Sequence, residues 1–273
     1  METCYRHPNR ETGVRCSNCE RPICPDCMTS TPVGMRCPEC ARQRTKVRTM
    51  RSMTDEPRVT YVMIGLCVLA YLGELLSGGG VGGSGTLFEE GALYRAAIQD
   101  GEYWRLITAG FLHDGLPHLL FNMLGLYILG TILEPAIGTP RFALIYFVSL
   151  LCGSFGALLQ EDVGATVGAS GAVFGLMGAT AAVMWNRGLN IMESGLGFWI
   201  ILNLVISFFP GLNISWGGHI GGLVGGTLCA LVLIELPQRA RIPQAAAMAV
   251  CVAIGAAAVA GSLTLEPPAG LPF

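Results

Sequence analysis

Seven apolar runs, each nearly free of charge, follow one another after residue 58: Val59–Ser77, Leu116–Leu133, Phe142–Gln160, Val167–Trp185, Leu196–Phe209, Trp216–Ile234 and Gln244–Leu265. A helix needs about 20 apolar residues to cross the hydrocarbon core of a bilayer, so the pattern predicts seven spans, the fifth the shortest. Ser194–Ile234 holds no formal charge, but Phe208-Phe209-Pro210-Gly211-Leu212-Asn213 is a turn signal that divides it in two. After the first run comes a Gly-rich stretch, Ser77–Gly85, and then Leu87–Asp114, which mixes aromatics with charges and is too polar to cross. Around Tyr103, Trp104, Leu106, Ile107 and Phe111 its polarity alternates, as in short amphipathic helices whose rings sit at headgroup level. The expected fold class is an all-α polytopic membrane protein preceded by a small polar N-terminal domain.

Composition agrees. Of 273 residues 52% are hydrophobic and 13% charged, against about 25% charged in soluble domains, which excludes an ordinary soluble protein. The apolar content excludes disorder, and the 37 glycines show no G-X-Y period. Net charge is −2, yet residues 1–58 carry 11 of the 17 basic side chains. Cytoplasmic loops retain Lys and Arg. The basic linker 41–58, Arg141, Arg187 and Arg239/Arg241 fall on one side of a seven-span bundle, whereas Gln160-Glu161-Asp162, Pro210–Ser215 and Glu266–Phe273 lack basic residues. A multi-pass cell-membrane protein with a cytoplasmic N-terminus and an outer C-terminus is expected. The polar start, Met-Glu-Thr-Cys-Tyr-Arg-His, has no apolar stretch of the kind a secretory signal needs, so no processing for export is expected.

Seven of the 11 cysteines lie in the first 40 residues. Cys4/His7, Cys16/Cys19, Cys24/Cys27 and Cys37/Cys40 are four pairs with two intervening residues, and such a knuckle lets both ligands of a pair bind one tetrahedral ion. Eight ligands make two closed structural zinc sites. Disulfides are the alternative, but a cytosolic segment is kept reduced and one slot is a histidine. Residues 1–40 resemble the B-box type of zinc finger. That resemblance implies cross-bracing, with pairs one and three on one ion and pairs two and four on the other; spacing alone leaves sequential pairing open. Metal would supply much of the folding energy of so short a segment, which suits a binding module with a cytoplasmic partner better than a catalytic site.

Polar residues inside spans are costly and point to function. His118, Asn122, Ser170 and His219 each lie near the start of an even-numbered span, so by topology they share one depth below the outer surface. Gly168-Ala169-Ser170-Gly171 with Gly175 and Gly178, and Gly217-Gly218-His219-Ile220-Gly221-Gly222 with Gly225-Gly226, present two glycine faces that let spans four and six approach closely. That approach would bring His219 to Ser170 as base to nucleophile. A lone serine is usually packing glue and a lone histidine a satisfied core residue, but one depth and facing glycines outweigh both. His118 and Asn122, four apart, share a helix face and offer two hydrogen-bond donors for an oxyanion. No Asp or Glu is expected at this depth to orient His219, which makes a dyad rather than a triad.

Trp104-Arg105, Phe111-Leu112-His113, His118-Leu119-Leu120-Phe121-Asn122-Met123, Gly168-Ala169-Ser170-Gly171 and Gly218-His219-Ile220-Gly221-Gly222 together resemble the rhomboid family of intramembrane serine proteases, over about Arg58 to Pro237. The resemblance implies a six-helix core at 59–237 with an extra seventh helix in 238–273. It implies Ser170 as nucleophile, His219 as general base, and His118, Asn122 and the N–H of Ser170 as oxyanion donors. Phe174 stands where some relatives have tyrosine, so ring stacking survives without a phenol hydroxyl. The activity implied is endoproteolysis of transmembrane segments of membrane proteins, with no catalytic cofactor and no nucleic acid partner. A transporter with a polar midplane and a catalytically silent binding relative are the rivals; polar residues confined to one depth argue against the first, and an intact dyad against the second.

Overall fold

The structure, a computed structural model, describes residues 2–42, 56–79, 84–160, 164–209, 211 and 214–265. Most of the basic linker, the middle of the Gly-rich stretch, Glu161-Asp162, Pro210, Leu212-Asn213 and the tail Glu266–Phe273 lie outside the described residues. The chain divides into two compact units, Met1–Thr54 and Asp55–Phe273.

The first unit has two antiparallel ribbons, β1 (Glu2–Thr3) with β2 (Glu11–Thr12), and β3 (Thr29–Thr31) with β4 (Gly34–Arg36). A 3₁₀ turn, Pro25–Cys27, and helix α1, Pro38–Arg42, complete it. Six cysteines and Ile23 are its buried core.

The second unit is helical. Seven helices coincide with the seven apolar runs: α2 (Arg58–Leu76), α6 (Leu116–Ile137), α7 (Thr139–Leu159), α8 (Ser170–Asn186), α9 (Leu196–Ser207), α10 (Trp216–Arg239) and α11 (Gln244–Leu263). Five are long and apolar enough to cross a membrane, α10 over Trp216–Pro237. The remaining two are shorter, 17 residues in α8 and 12 in α9. Between α2 and α6 lie the expected short helices α3 (Thr86–Gly91), α4 (Arg95–Gln99) and α5 (Arg105–Thr108). Buried Arg105 ties them together, donating to the carbonyls of Glu89 (2.7 Å) and Ala92 (2.8 Å), pairing with Glu102 and stacking over Tyr94.

Two buried acids inside these helices satisfy backbone groups of distant elements. Glu134, near the end of α6, accepts from the N–H groups of Val59 (3.0 Å) and Thr60 (2.9 Å) and from the Thr60 hydroxyl (2.8 Å), capping the start of α2. Glu74, near the other end of α2, accepts from the N–H of His113 at 3.2 Å.

Helix α10 packs against both α7 and α8 along glycines. A Cβ added at Gly222 or Gly226 would collide with the carbonyl oxygen of Gly171 or Gly175 in α8, and one at Gly217 with that of Gly156 in α7. The seam is therefore backbone on backbone. Gly222→Val should force α8 from α10 at a cost of about 1–3 kcal/mol or more, seen as a lower Tm in detergent. Gly65→Val, where an added Cβ meets nothing within 4 Å, should leave Tm unchanged; equal Tm values for both would refute the seam.

Candidate active site and candidate metal centres

The four polar residues singled out from the sequence sit at one end of the helical unit, each at or near a helix start. Helix α10 begins where Ser215 accepts the N–H of Gly218 at 3.1 Å, and Gln160, the residue after α7, accepts that of Gly217 at 3.1 Å. His219 is thus in the first turn, buried, and its imidazole stacks on Phe174 of α8 at 4.1 Å and 18°. Ser170 is the first residue of α8, so its N–H has no acceptor within the helix. Its hydroxyl makes no hydrogen bond among the described residues.

His118 and Asn122 occupy successive turns of α6, and Asn122 Nδ2 donates to the His118 carbonyl at 3.0 Å, keeping a second hydrogen free. The N–H of Asp114 points at His118 Nδ1 at 3.3 Å. A backbone N–H only donates, so Nδ1 accepts and the ring proton sits on Nε2. Gly168 borders both: with φ +121° and a Cβ position that would stand 2.7 Å from His118 Nε2 and 3.8 Å from Asn122 Nδ2, only glycine fits. Ser170 is bracketed in consequence. Two residues before it the chain abuts His118 and Asn122, and one turn after it Phe174 carries His219.

Three partners were not legible in the sequence. His113, fully buried, stacks edge-on to His118 with centroids 5.2 Å apart and donates from Nδ1 to the Phe111 carbonyl at 3.1 Å. Burial, with the neighbouring His118, holds its imidazole down to about 3. Glu74 does lie at this end of the bundle, but against His113 rather than His219. Ser207, at the end of α9, approaches His219 Nδ1 at 2.6 Å. A cavity of about 270 Å³ beside Arg141, Asn186, Arg187 and Gln244 opens at the opposite ends of these helices and touches none of the site residues.

In the first unit, Cys4, His7, Cys24 and Cys27 gather in one cluster and Cys16, Cys19, Cys37 and Cys40 in another, their ligand atoms within 4.8 Å of one another. Pairs one and three, and pairs two and four, thus group as cross-bracing requires. His7 Nδ1 stands 3.3 Å from Cys24 Sγ and 3.4 Å from Cys27 Sγ, and Cys19 Sγ is 3.7 Å from Cys37 Sγ. Sulfurs about 2.3 Å from a shared tetrahedral ion stand about 3.8 Å apart, whereas a disulfide needs about 2.05 Å. Burial pushes the Cys4 and Cys16 thiols up, but backbone N–H groups outweigh it and bring each down to about 6. Burial and the neighbouring sulfurs push Cys27 up to about 11 and Cys37 up to about 12. Two raised and two lowered thiols mean that the sulfurs cannot all ionise together unless a cation lies among them. These two clusters could bind metal ions.

The Rhomboid domain family model matches residues 100–236, half of the chain. The chain belongs to the rhomboid family, a family of intramembrane serine proteases. It is similar to Rhomboid protease GluP of Bacillus subtilis (strain 168), 37% identical over 180 residues, 65% of this chain and 35% of that protein. It is also similar to RHOMBOID-like protein 5 of Arabidopsis thaliana, 38% identical over 162 residues, 56% of this chain and 51% of that protein. RHOMBOID-like protein 6, mitochondrial, of the same plant is 40% identical over 162 residues, 57% of this chain and 52% of that protein. The chain thus spans about half the length of these relatives or less. A Gly168→Ala variant should have a lower Tm in detergent, because its Cβ collides with His118 at a positive φ. Gly164→Ala, in open space, should keep the wild-type Tm; equal Tm values for the two variants would refute the contact between Gly168 and His118.

Proposed function

We propose that this rhomboid is an active intramembrane serine endopeptidase in which Ser170 and His219 form the catalytic dyad. The observation that carries the reading is the bracketing of Ser170 by Gly168 against His118 and by Phe174 beneath His219. In this mechanism His219 Nε2 takes the Ser170 proton as Oγ attacks a peptide carbonyl, and the developing oxyanion receives the His118 Nε2–H, a free Asn122 N–H and the N–H of Ser170. His219 then returns the proton to the leaving amine, and water hydrolyses the acyl-enzyme from the outer side. The substrate is a transmembrane helix locally unwound by Gly or Pro, since an intact helix hides its carbonyls in hydrogen bonds.

The arginine distribution supports a cytoplasmic N-terminus and an outward-facing site. On that reading the 1–40 domain is a cytoplasmic binding module holding two structural zinc ions, with 41–58 as its linker, 59–237 as the protease core and 238–273 as an added helix and tail.

Ser170→Ala and His219→Ala should each abolish cleavage of a model transmembrane substrate and labelling by a fluorophosphonate, with expression intact. Asn122→Ala should lower kcat about 10²–10³-fold with KM little changed; activity surviving in Ser170→Ala or His219→Ala would refute the dyad. Metal analysis of the purified full chain should return two zinc ions per chain, falling to one in Cys16→Ser. A value near zero in wild type would rule the zinc reading out.

A further inference from the structure

Of the 12 residues of α9 only Gly197 and Ser207 are buried. Ser207 Oγ lies 2.7 Å from the Asn203 carbonyl oxygen, one turn back in α9, and 2.6 Å from His219 Nδ1. A hydroxyl has one hydrogen to give. A carbonyl oxygen only accepts, whereas a neutral imidazole nitrogen is either donor or acceptor. Both contacts are hydrogen bonds in one assignment alone: Ser207 donates to Asn203, and Nδ1–H of His219 donates to Ser207. The reverse assignment turns lone pairs of Ser207 and Asn203 on each other at 2.7 Å.

We propose that Ser207 is the positioning residue of the site, its hydroxyl aimed by the Asn203 carbonyl and holding His219 as the Nδ1–H tautomer. The lone pair then falls on Nε2, the nitrogen that takes the Ser170 proton, so this inference rests on the dyad reading above. In a Ser–His–Asp triad a carboxylate selects the same tautomer. Within a bilayer an ionised carboxylate is expensive, and a hydroxyl backed by a helix carbonyl supplies the acceptor without a charge. When His219 gains its second proton, Nδ1–H keeps the acceptor it already has, and no dipole must reorient. Phe174 fixes the plane of the ring and Ser207 fixes its rotation within that plane.

Side-chain ¹⁵N NMR of histidine-labelled full chain in detergent reads the tautomer directly. His219 should carry its proton on Nδ1 in wild type and shift toward Nε2–H in Ser207→Ala. The kcat of Ser207→Ala on a model transmembrane substrate should fall about tenfold or more, well short of the ~10⁴-fold loss caused by removing a charged orienter, with KM changed by less than about twofold. Ser207→Thr, which retains a hydroxyl able to bond its own i−4 carbonyl, should restore both tautomer and kcat. An Nε2–H tautomer in wild type overturns the proposal, as does an unchanged tautomer in Ser207→Ala, whatever the activity. Cleavage surviving in Ser170→Ala would instead defeat the dyad while leaving the His219 tautomer to report on Ser207, so the two failures are separable.

Discussion

Backbone contact between α10 and its neighbours α7 and α8 is the constraint on which the rest of the membrane unit depends. In lipid no hydrophobic force drives helices together, because hydrocarbon tails are as apolar as the side chains, and packing must come from close dispersion contact. Glycine against glycine gives the closest approach available, with the carbonyls of Gly156, Gly171 and Gly175 facing Gly217, Gly222 and Gly226. Weak Cα–H···O contacts at such a seam add to it. Because the seam starts beside residues 170 and 219, the fold and the candidate site are set by the same contacts.

The polar end of the bundle shows how several polar side chains are held in an apolar surrounding. His118 is fixed by the Asp114 N–H and the edge of His113, Asn122 by the His118 carbonyl, and His219 by Phe174 and Ser207. His118 is set as a donor from Nε2 by a backbone amide and His219 as a donor from Nδ1 by a serine. Two histidines a short way apart are thereby given different protonated nitrogens, one by a backbone amide and one by a hydroxyl.

Much of this was legible in the sequence because it is local. Seven apolar runs become seven helices, the x2 pairs gather into two Cys/His clusters, and small residues spaced on helix faces become the seam. That His118, Asn122, Ser170 and His219 gather at one end of the helical unit followed from counting spans. What stayed hidden depends on tertiary partners. The roles of Glu74, inside the first apolar run, and of Glu134, just after the second, were not legible because the groups they accept from lie 39 and 74 or 75 positions away. Ser207 reads as an ordinary small residue until α9 lies beside α10. Grouping of the cysteine pairs is likewise a matter of chain path rather than spacing. The start of α8 at Ser170 rather than Val167 reflects the positive φ of Gly168, which the composition of the run does not reveal.

The cap that Glu134 places on α2 carries a consequence for how the protein is made. Val59 and Thr60 emerge about 75 residues before their acceptor, and at 5–20 residues per second that interval is roughly 4–15 s. Through this time the first turn of α2 has donors with no acceptor of the chain's own, so it rests where water or headgroups serve it. Synthesis of α6 supplies the missing acceptor, Glu134. The cap on the first span therefore closes only after the second has been made, so a lesion at Glu134 bears on assembly in the membrane as well as on the finished protein.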